Sequence, residues 1–511
     1  MKKQNLSQFA VPVLLVLGVL LRLYRFGAVP GGLNQDEAFA AYDAWCLLTS
    51  GMDSAGYRFP VYLSAWGSGM NALESYLMLP FLALFGAEAW VVRLPQLLVG
   101  CLSLWVTWDL TRRMAGERLA LCFLGLLALC PWHIMLSRWA LESNLAPGFV
   151  LFGLYFFVRG LEDRRWLPLS GLLYGLSLYA YAAIWPIMPP LLLFQILYCR
   201  KKLSLNASSL LALLLLALLA LPLLLFLAVN HGLMEEIRGG LLSVPRMLTM
   251  RASEVSLQNI PENLKNLGNI LLRQTDGLYW NHAGPLGILY PLTLPLALLG
   301  LAASIPGLCR KEKRARLEGL MLLWLTAAIV QGALVHVNVN RGNLLFLPIL
   351  FFAACGLKLL WEKLGKLLPL LTVPVYALML LGFGSYYFGE FADTIPYYFN
   401  AGLDTALEAA GEQPGTVYLD DSVYYSQVLF HARTDPERFR ETVVYKQYPA
   451  TYLSARSFDR FVFGLDSSQP DPEGLYILRR GRDADALAQA GYHLEEHGVY
   501  LLAYKEEIWT S

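Results

Sequence analysis

An acidic pair, Asp36-Glu37, stands in the segment NQDEAFAAYDAW, just past the first long apolar run of the chain. A carboxylate at a lipid–water boundary is placed to take a proton from a hydroxyl close to a lipid head group. Acids are also common in the first loop after a membrane span, so position alone leaves both readings open. Further polar residues recur at the ends of later apolar runs. Arg93 opens VVRLPQLL, and PWHIMLSRWALESN carries His133, Arg138, Glu142 and Asn144. QTDGLYWNHAGPLG carries Asp276, Asn281 and His282, and HVNVNRGN carries His336, Asn340 and Arg341.

Each of these has an ordinary structural reading. Arg93 and Arg138 read equally as snorkelling anchors. His133 reads as a packed imidazole, and Asn281 and Asn340 as helix caps. Glu142 follows Arg138 by four residues, the spacing of an ion pair on one helix face. Taken together, they gather acids, imidazoles and arginines at one membrane face, which the ordinary readings do not predict. Tyr42, Trp66, Trp132, Tyr181, Trp185 and Trp280 suit stacking on sugar rings and equally suit an interfacial aromatic belt.

The elements that position these residues are membrane helices. The 511 residues are 56% hydrophobic and 15% charged, with a mean hydropathy of +0.46. Apolar runs of about 18 residues or more recur, the length that crosses a hydrocarbon core of ~30 Å. Backbone groups in lipid must bond within their own segment, so the spans are read as helices. Eleven are expected, near 8–26, 91–110, 118–135, 146–160, 167–184, 186–199, 208–228, 285–305, 318–335, 344–361 and 367–385. The basic-then-apolar start is read as a retained first helix rather than a cleaved leader.

Six basic clusters fall on alternate ends of these spans: Lys2-Lys3, Arg112-Arg113 with Arg118, Arg159 with Arg164-Arg165, Arg200-Lys201-Lys202, Arg310-Lys311 with Lys313-Arg314-Arg316, and Lys358 with Lys363-Lys366. The positive-inside rule makes that side cytoplasmic. The N-terminus is then cytoplasmic, and the segments 27–90 and 229–284 and the tail are extracytoplasmic. LESYLMLPFLALFG (73–86) is too short to span and is expected to lie at the interface or re-enter. PENLKNLGNILLRQ reads as a second surface-lying helix.

The tail is a different kind of domain. The first 389 residues hold 19 acids and 30 bases, the last 122 hold 20 acids and 10 bases. Strand-like runs at 416–420, 460–465, 475–480 and 499–504, with a helix at 483–491 ending at Gly491, predict a small α/β domain over 390–511 after a membrane domain over 1–389. The seven cysteines, at 46, 101, 122, 130, 199, 309 and 355, show no metal-ligand spacing and none lies in the tail. No disulfide scaffold is implied.

The ordered segments LNQDEAFAAYDAWCLL, VVRLPQLLVG, CPWHIMLSRWALESNLAPGFVLFGLYFFVRG and LYGLSLYAYAAIWPIMPPLLL resemble the bacterial relatives of the protein O-mannosyltransferases. These belong to the GT-C superfamily of polyprenyl-phosphate-sugar-dependent glycosyltransferases, together with the lipid A aminoarabinose transferases. The resemblance covers about the first 200 residues closely and the later spans by layout. It implies a GT-C-like α-helical polytopic membrane protein and an inverting transfer of a hexose or pentose from a lipid-linked sugar phosphate. The acceptor would be an extracytoplasmic glycan, lipid or protein.

By the same resemblance Asp36 matches the base that deprotonates the acceptor, and Glu37 the acid that supports it. Arg93 matches the arginine of an Arg-Leu-Pro stretch, and Arg341 resembles the late arginine that holds the carrier phosphate. Arg138 joins them as a phosphate or lipid ligand; His133, Glu142, Asn144, Tyr181, Asp276 and Asn281 are candidates for substrate contact. The chain departs from the pattern at Gly69-Met70-Asn71-Ala72, where the relatives carry His-Pro-Pro or Glu-Lys-Pro. That departure leaves a divalent metal open.

The chemistry fits these residue types. A sugar C1 bonded to a lipid phosphate already has a good leaving group, so positive charge on the phosphate suffices, and the planar fork of arginine supplies it. The acceptor hydroxyl needs a base on the opposite face. The competing reading is a transporter or lipid flippase, which would hold polar residues near the bilayer midplane and often show inverted repeats. Here the span interiors are nearly free of charge and no repeat is found. No nucleic-acid partner is expected.

Overall fold

The computed structural model describes residues 6–249, 257–309 and 316–505. The basic residues at 2–3, 310–311 and 313–314, and part of the 229–284 segment, lie outside the described residues. The chain divides into two compact units. One comprises Met1–Phe26, Pro95–Leu221 and Ala252–Phe391; the other comprises Gly27–Leu94, Pro222–Arg251 and Ala392–Ser511.

The first unit is helical, and every predicted span overlaps a helix. Among the described residues, five helices are long and apolar enough to cross a membrane: Glu142–Glu162, Ala207–Asn230, Arg316–Leu334, Asn343–Leu364 and Leu367–Tyr387. Phe9–Leu23 and Thr293–Cys309 are apolar but shorter. Two boundaries differ from expectation for a covalent reason. The run 118–135 is cut at Cys130, where Pro131 starts a new six-residue helix. The run 285–305 becomes α-helical only at Thr293, after a short 3-10 turn at Gly284–Leu286, because Pro285, Gly287 and Pro291 precede it. Small residues allow close helix packing: a Cβ at Gly300 or Gly356 would collide with the main chain of the facing helix.

The second unit holds a seven-stranded sheet in the order 493–497, 500–504, 475–479, 417–419, 461–463, 455–458, 444–445. The strand Val417–Leu419 runs parallel to both neighbours, and the other pairs are antiparallel. The helix Arg482–Gln489 buries Ala484 and Leu487 against Tyr476, Leu478 and Leu501 on one face. The C-terminal α/β reading of the tail thus holds. Segments before the tail join the same unit: the helices Gln35–Ser50 and Leu73–Phe85, and the hairpins 62–63/70–71 and 237–238/243–244.

The helix Gln35–Ser50 has a complete set of stops. Asn34 caps its start and forms a reciprocal capping box with Glu37. Gly51, in the left-handed region at φ 72°, ends it. Its middle is buried from Glu37 to Ala44. Helix Tyr425–His431 of the tail packs on it: Gln427 Nε2 donates to the Leu33 carbonyl at 2.7 Å, and Ser426 Oγ to the Gln35 carbonyl at 2.9 Å. Tyr42 OH donates to the Thr434 carbonyl at 2.9 Å.

Candidate active site

Within the second unit, Asp36 and Glu37 are adjacent in sequence and opposite in environment. Asp36 is half-buried at the second position of its helix, where main-chain N–H groups and the helix dipole favour negative charge. Its Oδ1 accepts the Trp66 indole N–H at 3.2 Å. Glu37 is fully buried and paired with Arg93, also fully buried. The pair is a two-bond fork: Arg93 Nε to Oε1 at 2.8 Å and Nη2 to Oε2 at 2.9 Å. The remaining Arg93 donors reach the carbonyls of Pro30 and Gly32, each at 2.6 Å. Glu37 Oε2 also accepts the Asn34 N–H at 2.9 Å.

This arrangement fixes the chain just before Asp36 from three sides. Gly32 is a required glycine there: its φ is +77°, and a Cβ would run into the main chain of Phe399 and Ala401. Trp66 is held in the left-handed region at φ 59°, an uncommon place for a bulky residue. It is 2% exposed and stacks on Tyr452 with ring centroids 4.5 Å apart. The sequence suggested Trp66 as a sugar-stacking surface; in the structure its ring is largely buried, one face lies on Tyr452, and its N–H is used on Asp36.

In the first unit, the expected substrate contacts fall into three groups. His133 is buried and its Nδ1 lies 2.6 Å from Arg22 Nη2. Arg22, which the sequence reading did not single out, is fully buried and also donates to the Gly18 carbonyl at 2.6 Å. Arg138 is fully buried and donates to the carbonyls of Leu21, Arg22 and Arg25 at 3.2, 2.8 and 3.0 Å. Residues 137–141 are not helical and Glu142 opens a new helix, so the one-face spacing of Arg138 and Glu142 does not exist.

Asn144 Oδ1 accepts from Asn343 Nδ2 at 2.9 Å, while Asn343 Oδ1 accepts the Trp132 indole N–H at 2.8 Å. Asp276 Oδ2 accepts from Asn281 Nδ2 at 2.7 Å and from the Val339 N–H at 2.8 Å. That bridge ties the 276–281 turn to the segment before Arg341, whose side chain is half-buried and whose Nη1 lies 3.5 Å from the His336 carbonyl. Tyr181 follows the helix Leu167–Ala180 as its extended cap. Among the described residues, no three His, Cys, Asp or Glu side chains gather closely enough to hold a metal ion.

Two lines of comparison bear on this chain. Residues 73–226 match the family model described as dolichyl-phosphate-mannose-protein mannosyltransferase. No curated protein matches the chain by sequence at a significant level. Among solved structures, apo ArnT from Cupriavidus metallidurans is 14% identical, aligns over 96% of this chain and 97% of its own, and has a TM-score of 0.54. The same protein bound to undecaprenyl phosphate aligns over the same shares at 15% identity and a TM-score of 0.51. The apo oligosaccharyltransferase of Archaeoglobus fulgidus is 14% identical, with 84% of this chain and 63% of its own covered and a TM-score of 0.51. With its apolar helices, this fold makes the chain a multi-pass membrane protein. By its matched segment the chain is similar to the mannosyltransferase family over residues 73–226, and it shares the fold of ArnT and of the archaeal oligosaccharyltransferase, with a C-terminal sheet domain.

Proposed function

We propose that the chain is an inverting glycosyltransferase that moves a sugar from a polyprenyl-phosphate donor to an extracytoplasmic acceptor, with Asp36 as the base. The observation that carries this is the contrast within one capping turn. Glu37 and Arg93 are consumed in holding the turn, which leaves Asp36 as its half-buried acid. The fold and the matched family support a lipid-linked donor.

The roles follow from environment. Asp36 takes the proton of the acceptor hydroxyl as that oxygen bonds to the sugar C1. The C1–O bond to phosphate breaks, its electron pair leaves with the lipid phosphate, and single displacement inverts C1. Arg341 is the partly exposed member of the three arginines expected at the carrier phosphate, and we assign that contact to it. Glu37 and Arg93 are positioning residues, and Arg138 braces the end of the first helix. The tail domain's contribution is to hold the main chain at Leu33 and Gln35.

The test uses purified protein in nanodiscs with an undecaprenyl-phosphate sugar. Release of carrier phosphate in the presence of acceptor, lost in Asp36→Asn, is expected. Unchanged release in that variant removes Asp36 as the base. Passage of the donor across a liposome bilayer with no release would replace the transferase by a flippase.

A further inference from the structure

Beside the Asp36 turn, and wholly within the second unit, lies a cleft of about 330 Å³. That is near the lower end of the ~300–1,000 Å³ range of small-molecule sites and suits a single sugar unit. Three arginines, Arg238, Arg246 and Arg440, line it, together with Tyr57, Tyr445 and Tyr448, and no aspartate or glutamate does. Trp66 forms part of its wall and is the same residue whose indole N–H holds Asp36.

The lining is built rather than incidental. Arg238 is fixed by Glu236 at 2.7 Å, and its guanidinium lies over the Tyr57 ring with 4.3 Å to the centroid. Tyr57 OH in turn donates to Glu236 at 2.7 Å. Arg246 is held by the Met234 carbonyl at 3.0 Å, and its carboxylate neighbour Glu235 has a 95% exposed side chain. Arg440 Nη1 is buried without a hydrogen-bond acceptor among the described residues. Tyr445 and Tyr448 stack with centroids 5.9 Å apart, and both line the cleft. Guanidinium forks recognise carboxylate and phosphate oxygens, while aromatic rings suit the apolar faces of a sugar.

We propose that this cleft is an acceptor subsite and that the acceptor unit it takes is a saccharide bearing an anionic group, a carboxylate or a phosphate. The acceptor assignment rests on the transferase reading above; the anion-binding assignment rests on the cleft. Arg440 and Arg246 hold the charge, the Tyr445–Tyr448 pair packs against the ring, and the Trp66 wall sets the ring's register to the base. A neutral sugar would leave Arg440 Nη1 without a charged acceptor and Arg246 with only its exposed Glu235 neighbour as a charged partner.

The test is equilibrium binding to the full chain in nanodiscs without donor, read by calorimetry. The probes are methyl glucuronide, glucose 6-phosphate and methyl glucoside. At least one charged probe is expected to bind about tenfold tighter than the neutral one, since hydrogen bonds to charged groups are worth roughly that factor. The two charged probes separate a uronate from a phosphate preference. Arg440→Gln and Arg246→Gln should each erase most of the preference while leaving methyl glucoside binding in place. Should Arg440→Gln fail to fold, Arg246→Gln at the exposed rim must still reduce the preference about threefold or more. Equal binding of charged and neutral probes, or a preference untouched in Arg246→Gln, overturns the proposal. Carrier-phosphate release measured in parallel keeps the two readings apart. Release with no charge preference sinks the subsite alone; preference with no release leaves the anion site and sinks the transferase.

Discussion

Two polar regions of this chain look alike in sequence and differ in structure. The turn Asn34–Glu37 and the segment Trp132–Asn144 each place acids, histidine or arginine at the edge of an apolar run. In the first, Asp36 stays half-buried while Asn34 and Glu37 are committed to the cap. In the second, His133, Arg138 and Asn144 are sealed, at 2%, 0% and 1% exposure, the arginine is spent on main-chain carbonyls, and Glu142 alone of these polar residues stays half-buried at the start of the next helix. On the proposed roles, the difference separates Asp36, placed to react, from His133, Arg138 and Asn144, which are committed inside the fold. A buried carbonyl at a helix end costs free energy unless a donor reaches it, and Arg138 is that donor.

The sharpest way to break this contrast is substitution at Asp36. Asp36→Asn keeps the shape and an acceptor for the Trp66 N–H, and removes the base. Transfer should fall by about 10²–10⁴-fold, with the melting temperature unmoved. An equal loss in His133→Gln, also with unmoved melting, would show that the sealed region reacts and the contrast is false.

Next in size is the Glu37–Arg93 pair. Cutting one partner of a buried ion pair costs about 3–5 kcal/mol, because the other charge is left without compensation. Glu37→Gln and Arg93→Ala should therefore melt lower and become protease-sensitive near the 27–37 segment. Arg93→Lys should not rescue, since a point charge cannot serve a fork and two carbonyls together. A third, smaller contrast sets Arg341 against Arg138. Arg341→Ala should raise the donor KM roughly tenfold, as loss of one charged hydrogen bond would, at constant melting temperature. Arg138→Ala should lower the melting temperature instead.

The sequence carried the helices well, because apolar length is a local property and lipid enforces helical bonding. It carried the parallel centre of the tail sheet, where TVYLD, RFVFGL and LYILRR are apolar runs. It missed the edge strand His493–His497, written HLEEH, whose partner Tyr500–Tyr504 alone is apolar. At the site, Asn34-x-x-Glu37 was legible as a capping box, and reading it would have assigned Glu37 a structural duty. The Arg93 partner was not legible: 56 residues separate it from Glu37, and its Leu-Pro context says nothing of what it binds. Trp66 was legible as an aromatic candidate but not as the partner of Asp36, because 30 residues and a left-handed turn at Trp66 and Gly67 lie between the two.

The smallest expected effect tests whether the Asp36 helix is anchored electrostatically at its far end as well. Asp43, on that helix, accepts the Ser54 N–H at 2.8 Å through Oδ1. Asp53 closes the following turn by accepting the N–H groups of Ala55 and Tyr57 at 3.0 and 2.8 Å. Both carboxyls are buried, and the Oδ2 of each has no hydrogen-bond partner among the described residues. Burial pushes both groups above the usual carboxylate range, and for Asp53 the Asp43 charge adds to it. The surrounding ionisable groups are Tyr42, Cys46, Tyr57, Tyr425 and Arg440. Unfolded aspartate releases its proton near pH ~3.9, so above that pH the native state holds more protons than the unfolded one. The slope of stability against pH is then negative: the contribution is full below about pH 4 and is lost as pH rises through the folded values. Asp53→Asn keeps the Oδ1 acceptor and removes the charge. Its melting temperature should fall less steeply between about pH 5 and 8 than the parent's, because of the pair only Asp43 still titrates there, so the variant is the more stable form at the alkaline end. Parallel curves would mean that the two carboxyls are compensated in solution, and that the far end of the helix rests on packing alone.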